Sequence, residues 1–462
     1  SHDNHWLFAS SNGGLTAGRV SPDTALFPYV TVDKIHDSVG NTGCLTLLRV
    51  ERNGESVEWR PFDPQRHPKS PVARTMYKSV AGNSICFEET HLELGLTFGY
   101  RWRYSSQFGF VRDCELESLS DRHYRVAMID GLRNLLPAGT PRFAQTNTSN
   151  LVDAYKWNEL QRGSLLGCFT LYSAITDRAE PAESLRSNTV FALGLESPGI
   201  LLSETQIALF RDGQMPQTEW HTRGQRGCYL VSTSFELSAR ENKHWRFVAE
   251  VEQDQATVSQ LHQQLQSDPS LSQQIDSDIN NGTDALLRLM ASADALQDTA
   301  ENFVSVHHYA NVLFNVLRGG VFDDHYAIAS SDFERSLSRF DCNLTAQLRD
   351  WLSKLPDTMT RGSLLDAVMT HGDPQLERLC REYLPIRFGR RHGDPSRPWN
   401  QFAIELYEDD GERLLAYQGN WRDIFQNWEA LAVSYPDFIE SIIAKFVNAS
   451  TADGYNPYRI TS

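Results

Sequence analysis

The stretch LELGLTFGYRWRY, Leu92–Tyr104, decides the fold of the first half of this chain. Every second position is Leu, Phe, Tyr or Trp, and the positions between are Glu, Gly, Thr or Arg. Because successive side chains of a β-strand point to opposite faces of its sheet, this alternation predicts one long strand with one buried face. A strand of this length suits a large two-sheet protein better than a small barrel.

Further strand-like runs lie on both sides of this stretch. They are separated by clusters of Gly, Pro, Asn and Asp, which favour turns. Many strands in this part of the chain predict an antiparallel β-sandwich over residues 1–252. The runs are Cys44–Val50, Tyr124–Ile129, Leu165–Ala174, Thr189–Leu195, Gly227–Leu237 and Trp245–Val251.

The composition changes after residue 252. Residues 253–297 are rich in Gln, Ser and Asp and predict helices with poor apolar faces, which we interpret as a helical linker. Residues 298–462 predict an all-α domain: apolar residues recur at helical spacing from Phe303 to Leu317, and two glycines end that helix. The fold class is therefore a multidomain α+β protein. The other predicted helices are Ala346–Leu355, Ser363–Met369, Gln375–Tyr383, Ile424–Val433 and Phe438–Asn448.

Length and charge exclude several classes of protein. A chain of 462 residues exceeds the size of one ordinary core, so more than one domain is expected. A net charge of −16 argues against nucleic-acid binding, and no apolar run approaches a membrane span. With seven scattered cysteines and no secretory signal, we expect a cytoplasmic protein. The closing sequence DGYNPYRITS resembles an internal loop, which suggests a piece of a longer protein.

The window YQGNWRDIFQNW, Tyr417–Trp428, is the best candidate site. Aromatic faces beside amides and a carboxylate suit a sugar ring, which is apolar on its faces and hydroxylated at its rim. Asp423 has two interpretations. It could be a general acid whose pKa is raised by burial against tryptophans, or it could be the N-cap of the helix that follows.

A second candidate is the arginine-rich stretch REYLPIRFGRRHGDPSRPWN, Arg381–Asn400. Turn-forming residues predict a loop, and arginine forks bind phosphate or carboxylate in bidentate geometry. The alternative is a structural loop whose arginines pair with nearby acids such as Glu405, Glu408 and Asp409.

The stretch RGGVFDDHY, Arg318–Tyr326, places Asp323, Asp324 and His325 after a predicted helix end. With His307 and His308 these residues have a weak metal-like pattern, because adjacent pairs point in different directions on regular structure. A loop that lines a pocket, or a plain loop, explains them better. We predict no metal and no organic cofactor.

With these residues in view, the chain resembles the inverting glycoside phosphorylases of the cellobiose and chitobiose phosphorylase type, as a divergent or truncated relative. That family has an N-terminal β-sandwich, a helical linker and an (α/α)6 barrel that holds the active site. Its motif is Asp-Trp-Asn-Asp after a glycine, with the last Asp as general acid. The corresponding window here is Gly419–Asp423, in which Trp421 and Asp423 match, whereas Asn420 and Arg422 differ. A complete barrel has twelve helices, so we expect part of one.

The resemblance implies phosphorolysis of an oligosaccharide with inversion, with inorganic phosphate as co-substrate. Asp423 would donate the proton, and in a hydrolytic variant Glu405 would activate water. The expected sugar contacts are Trp421, Arg422, Trp428, Trp399, Asn400 and Gln426, and the expected phosphate ligands are Arg391, His392 and Arg397.

Three alternatives to a phosphorylase stay open. They are a glycoside hydrolase of similar architecture, a non-catalytic glycan-binding protein, and an interaction protein whose arginine loop contacts an acidic partner. A homodimer is a further expectation, since large proteins of this architecture often dimerise.

Overall fold

A computed structural model describes residues 4–52, 54–65, 71–175, 184–387, 402–408 and 410–460, with only the backbone of Asp423. The described chain forms two compact units, one up to Thr283 and one from Asp284 onward. The boundary lies within a long helix, inside the segment predicted as a linker.

The first unit contains sixteen strands among its described residues. All six predicted runs overlap an observed strand. The strands are β1 (His5–Ala9), β2 (Leu15–Arg19), β3 (Gly43–Arg52), β4 (Glu55–Trp59), β5 (Val72–Lys78), β6 (Ile85–His91), β7 (Leu96–Ser105), β8 (Gly109–Ser118), β9 (Tyr124–Leu135), β10 (Lys156–Gln161), β11 (Leu166–Leu171), β12 (Arg186–Leu193), β13 (Gly199–Leu201), β14 (His221–Arg223), β15 (Gly227–Leu237) and β16 (Asn242–Asp254).

Two large antiparallel sheets organise these strands. One has nine strands in the order β14-β10-β11-β12-β16-β8-β7-β6-β5, and the other has five in the order β13-β15-β9-β3-β4. Alternate residues of β7, Phe98, Tyr100 and Trp102, share one buried cluster with Val126 and Met128 of β9. The apolar faces of both sheets therefore meet in one core.

The stretch that predicted one long strand forms a turn and a strand instead. Leu92–Gly95 make the turn between β6 and β7, and β7 begins only at Leu96. Gly95 has a φ of +63° and its N–H donates to the carbonyl of His91 at 2.8 Å, which closes the turn. Because this left-handed backbone does not continue a strand, the alternating residues before Leu96 are not part of β7. Leu92 is accordingly 62% exposed.

A buried ion pair joins the two sheets. Arg112 of β8 and Asp130 of β9 are both fully buried, with guanidinium and carboxylate 3.0 Å apart. The carboxylate also accepts hydrogen bonds from Thr46 at 2.6 Å and from the indole of Trp245 at 2.7 Å. Because Asp130 is fully hydrogen-bonded, its charge is compensated inside the core.

Helices cover part of the outer face of the nine-stranded sheet. Phe191 and Val248 of that sheet cluster with Leu261, Ile275 and Ile279 of the two helices that follow β16. The polar segment predicted as helical thus forms two helices, and its apolar residues Leu261, Ile275 and Ile279 contact the sheet. The helices of the first unit are α1 (Arg142–Asn147), α2 (Ser149–Tyr155), α3 (Ile207–Arg211), α4 (Gln255–Ser267) and the first part of α5 (Leu271–Ala291).

The second unit is mainly helical. The prediction of one helix over Ala346–Leu355 is wrong, because two short helices lie there, and the helix Ser330–Phe340 was not predicted. Its elements are α6 (Asn302–Gly319), β17 (Val321–Phe322), β18 (Ala327–Ala329), α7 (Ser330–Phe340), α8 (Cys342–Gln347), α9 (Arg349–Leu352), β19 (Thr358–Thr360), α10 (Arg361–His371), α11 (Pro374–Arg381), β20 (Ile386–Arg387), β21 (Gly419–Asn420), α12 (Trp421–Ser434), α13 (Ile439–Ala449) and β22 (Arg459–Ile460).

Two apolar clusters hold this unit together. One joins the end of α5 to α6, α12 and α13, around Trp428, Tyr435 and Phe438. The other joins α7 to α11, around Phe333 and Leu376. Among the residues that the structure describes, none of the helices is both long enough and apolar enough to cross a bilayer.

Candidate active site

The candidate site lies where α12 begins beside the end of α6. The hydroxyl of Tyr417 donates to the carbonyl of Arg318 at 2.5 Å, and the indole N–H of Trp428 donates to the carbonyl of Gly319 at 3.2 Å. The two rings meet edge to face, with centroids 5.4 Å apart. These contacts fix both the approach to α12 and its first two turns against the end of α6.

Gly319 allows the two helices to approach closely. A Cβ at this position would lie 2.9 Å from the Cβ of Asn427 and 3.5 Å from Cδ1 of Trp428. Carbon atoms in van der Waals contact are about 3.5–4.0 Å apart, so a side chain here would push the helices apart. From sequence, this glycine indicates only a helix end, because the close approach depends on the partner helix.

The helix carrying Asp423 begins earlier than predicted. Asn420 is the N-cap of α12, with extended backbone, and Trp421 is its first residue. The N–H of Trp421 donates to the carbonyl of Tyr458 at 3.0 Å, beside the β21–β22 pairing. A distant backbone carbonyl therefore accepts from one of the N–H groups at the start of the helix that have no partner within it. The N-cap interpretation of Asp423 is wrong, because Asp423 is the third residue of the helix.

The predicted sugar-binding residues of α12 differ in exposure. Trp421 is half-buried, with its ring edge to face against Phe446 at 4.4 Å between centroids. Arg422 and Gln426 are exposed and lie one turn apart on the same side of the helix. Trp428 is only 2% exposed. The prediction that Trp428 stacks on a sugar does not fit this burial, because protein groups cover its faces.

The arginine-rich stretch begins beside the segment that follows α6. Strand β17 pairs with β20, which places Arg387 opposite Val321. Asp323 then binds two guanidinium groups, that of Arg387 at 2.9 Å and that of Arg413 at 3.1 Å. Arg381 pairs with Glu377 at 3.0 Å. The first two arginines of the stretch thus serve the structure.

Several predicted residues fall outside the described part of the chain. The sugar contacts Trp399 and Asn400, and the phosphate ligands Arg391, His392 and Arg397, are in this group, as is the side chain of Asp423. Their arrangement stays a prediction.

The predicted base Glu405 is exposed and belongs to a short described segment, residues 402–408, that follows the arginine-rich stretch. In the same segment Glu408 forms an ion pair with Arg339 of α7. Glu408 therefore pairs with an arginine of helix α7. The structural-loop alternative in the sequence analysis had expected it to pair with arginines of the stretch Arg381–Asn400.

The residues of the weak metal pattern are held by other groups. Asp323 binds two arginines, and a ring nitrogen of His308 lies 2.7 Å from the carbonyl of Asp294. Within the described ranges, His, Cys, Asp and Glu form no group of three suited to a metal ion. We therefore do not propose a metal role for this segment.

One carboxyl with a perturbed pKa, that of Asp332, was not among the predicted site residues. Burial raises the pKa of Asp332, the third residue of α7, although a hydrogen bond from the Tyr383 hydroxyl opposes part of this shift. The carboxylate of Asp323 adds to the rise. A raised carboxyl pKa is what a general acid requires, but it also arises in structural pairs. The only sequence signal is an acid in the first turn of a helix.

One segment of the second unit matches a known protein family. Residues 322–385 match the model of the glycoside hydrolase family 149 insertion domain 1. These residues run from β17 to the residue before β20 and include the α7–α11 cluster. No curated protein matches the chain. The family match points to a carbohydrate-active protein of the glycoside hydrolase and phosphorylase type.

Solved structures give only distant similarity. A bacterial glucoamylase complexed with acarbose has 10% identity and a TM-score of 0.40, covering 78% of this chain and 50% of its own. A putative kojibiose phosphorylase from human microbiome has 11% identity and a TM-score of 0.27, covering 73% and 34%. The polysaccharide lyase BACCELL_00875 has 10% identity and a TM-score of 0.31, covering 56% and 34%. The chain spans half of the glucoamylase and about a third of the other two.

Proposed function

We propose that this chain is part of a carbohydrate-active enzyme that breaks or forms a glycosidic bond with inversion, by phosphorolysis. The observation that carries the proposal is the family 149 match, because that family consists of phosphorylases. The matched segment belongs to the same unit as the Gly419–Asp423 window. We further propose that the two sheets of the first unit form the sandwich of such enzymes and that the second unit is part of an (α/α)6 barrel.

In the proposed reaction Asp423 protonates the oxygen of the scissile glycosidic bond. Inorganic phosphate attacks the anomeric carbon from the opposite face, so the bond to the leaving sugar breaks as a bond to phosphate forms. The products are a sugar 1-phosphate of inverted configuration and a shortened saccharide. Asp423 is assigned this role because it matches the last Asp of the phosphorylase motif, and it lies in the first turn of α12, a helix anchored to the end of α6.

Substrate binding is assigned to neighbouring groups. Trp421 is half-buried and keeps part of its ring accessible, so it is the proposed stacking residue, with Arg422 and Gln426 as polar contacts. Phosphate is assigned to Arg391, His392 and Arg397, since guanidinium forks match phosphate geometry. Arg387 is not assigned to phosphate, because it is already paired with Asp323 at 2.9 Å.

The test uses a panel of α- and β-linked gluco-oligosaccharides, with and without inorganic phosphate. Asp423→Asn is compared with Glu429→Gln, which removes an exposed carboxyl from the same helix. We expect phosphate-dependent release of sugar 1-phosphate that falls at least about a hundredfold in Asp423→Asn, as for loss of a general acid. Glu429→Gln should keep its activity.

Three results would overturn parts of the proposal. Equal activity of Asp423→Asn and the parent would remove Asp423 as the acid. Release of free sugar without phosphate would make the protein a hydrolase and direct attention to Glu405. Saccharide binding with no turnover, in this chain and in any longer natural form, would favour a glycan-binding protein.

A further inference from the structure

A small cavity of about 40 Å³ lies in the first unit, at the edge of the five-stranded sheet. Strand β4 pairs with β3 only as far as Leu48, which lies opposite Trp59. The cavity is lined by the first residues of β3, by the turns at Gly13 and Gly40, and by the chain that follows β4, residues 60–64. It therefore lies between an edge of β3 and the loops around that edge.

The charged side chains of this cavity are both cationic. Among the described residues that line it, Arg60 and Arg133 carry a charge, and none is an Asp or a Glu. Arg60 directly follows β4, whereas Arg133 belongs to β9 and lies opposite Gly43 of β3. A ligand in the cavity would thus meet two guanidinium groups and no carboxylate in the wall, which favours an anion.

Arg133 is buried, yet part of its guanidinium lacks a close partner. The residue is only 5% exposed, and its Nε has no hydrogen-bond partner among the residues that the structure describes. The carboxylate of Glu204 lies 3.9 Å from Nη1, which is beyond hydrogen-bond distance. A buried charge is costly unless it is paired and hydrogen-bonded. An anion in the cavity would supply the acceptor that this guanidinium needs.

Arg60 is close enough to Arg133 for the two charges to repel each other. Burial lowers the pKa of Arg133, the carboxylate of Glu204 opposes this shift, and the positive charge of Arg60 adds to it. Arg60 itself lies 3.6 Å from Asp63, so its ion pair is also longer than a hydrogen bond. A negative charge between the two guanidinium groups would offset their repulsion.

The size and walls of the cavity limit the ligand to a small ion of low charge. A water molecule needs about 10–15 Å³ of such space, and pockets for organic ligands measure about 300–1,000 Å³. The cavity therefore has room for a monatomic ion and none for a sugar ring. Its walls are partly apolar, with Leu45, Pro61 and Phe62. Because a doubly charged ion loses more hydration energy beside such walls, a singly charged ion fits better.

We propose that this cavity binds one small monovalent anion, with chloride as the probe, between the guanidinium groups of Arg60 and Arg133. The N–H groups of both side chains donate to the ion. The ion connects the chain that follows β4 to strands β3 and β9, so it stabilises this end of the first unit. This inference goes beyond the proposed reaction and does not depend on it.

The experiment measures hydrogen exchange of peptides from β3 and β9 in the full chain, with sodium glutamate replaced stepwise by sodium chloride at constant ionic strength. For a dissociation constant of about 10 mM, about 100 mM chloride lowers the equilibrium constant for opening of these strands about tenfold. Bromide should act in the same way. Crystals grown in bromide should show its anomalous signal between Arg60 and Arg133.

Arg60→Gln removes one of the two charges, and Arg211→Gln is its matched control. Arg211 of α3, in the same unit, has an ion pair of the same length, 3.6 Å to Glu58, and lies outside the residues that line the cavity. We expect Arg60→Gln to weaken chloride binding at least about tenfold, as for loss of a charge-assisted hydrogen bond, and Arg211→Gln to leave it unchanged. Arg133→Gln should abolish the chloride effect. If that buried variant fails to fold, Arg60→Gln decides the question, since the side chain of Arg60 is 22% exposed.

Equal chloride dependence in Arg60→Gln and the parent would overturn the proposal, as would the absence of bromide from the cavity. Stabilisation by inorganic phosphate but not by chloride would overturn it in favour of an oxyanion site. An equal effect of chloride and glutamate would mean that only general screening by salt acts here, which also contradicts the proposal. Because the assay contains no saccharide, failure of the phosphorylase proposal would leave its result unchanged.

Discussion

Gly319→Ala tests whether the close contact between α6 and α12 positions the candidate site. The added Cβ would lie 2.9 Å from the Cβ of Asn427, whereas carbon contacts need about 3.5 Å, so the helices must separate by about 0.6 Å. Overpacking of this kind costs about 1–3 kcal/mol. The hydrogen bond from Trp428 to the Gly319 carbonyl, already 3.2 Å long, would stretch and lose about 1 kcal/mol.

One effect opposes this cost. Alanine in place of glycine favours a helix by up to about 1 kcal/mol. We therefore expect Gly319→Ala to destabilise the second unit by about 1–3 kcal/mol. Gly362→Ala is the matched control, because no atom lies within 4 Å of its added Cβ. That variant should gain part of the helix preference with no cost.

The measurement is hydrogen exchange under increasing urea, followed by mass spectrometry of peptides from α6 and α12. This readout isolates the second unit, which a global transition of a two-unit protein would not. By the functional proposal, Gly319→Ala should also lower turnover, since α12 carries Asp423. If Gly319→Ala is as stable as Gly362→Ala, the close approach of the two helices is not the reason for glycine at this position.

Two further predictions concern side chains of the same unit. Trp428→Phe should destabilise the second unit by about 1–3 kcal/mol, because the hydrogen bond to the Gly319 carbonyl is lost and the ring is smaller. Saccharide affinity measured by calorimetry should stay unchanged. Lost affinity with unchanged stability would restore Trp428 as a sugar contact. Asp332→Asn should gain stability relative to the parent as pH rises, because burial raises the pKa of Asp332 and favours its neutral form in the folded state. The neutral carboxyl of Asp332 contributes its full stability to the parent protein at pH values below the ordinary pKa of an Asp, and this contribution is lost as the pH rises through the raised pKa of the folded state. Thermal unfolding across a pH series checks this, and a pH-independent difference between the two proteins would contradict it.

Local patterns in the sequence were sufficient to predict seven of the sixteen strands described in the first unit and, in the second unit, helices α6, α10, α11, α12 and α13. The alternation from Leu96 to Tyr104 and the two glycines at the end of α6 depend on neighbours along the chain, so they predict elements directly. The same alternation from Leu92 to Gly95 was misleading, because a glycine with positive φ turns the chain there. The alternation of apolar and polar residues alone does not reveal that turn.

The site was less predictable, because its geometry depends on residues far apart in sequence. The carbonyl of Tyr458 accepts the first N–H of α12, Asn420 is the cap of that helix, and Asp423 is its third residue. Trp428 was grouped with Trp421 as a sugar contact, since both are aromatic residues in one window. Only the packing of α6 against α12 shows that the indole of Trp428 lies in the core, whereas that of Trp421 stays partly accessible.

The arginine-rich stretch shows how structure can divide one charge cluster into parts with different roles. From sequence, the predicted phosphate ligands of this stretch are Arg391, His392 and Arg397. Arg387 pairs with Asp323, which also binds Arg413, and Arg381 pairs with Glu377 on its own helix. An arginine already matched to a carboxylate would have to give up that partner before it could bind phosphate. The phosphate site that we propose therefore lies after Arg387, and the ion pairs of Arg381 and Arg387 hold only the described part of the stretch, up to the end of β20.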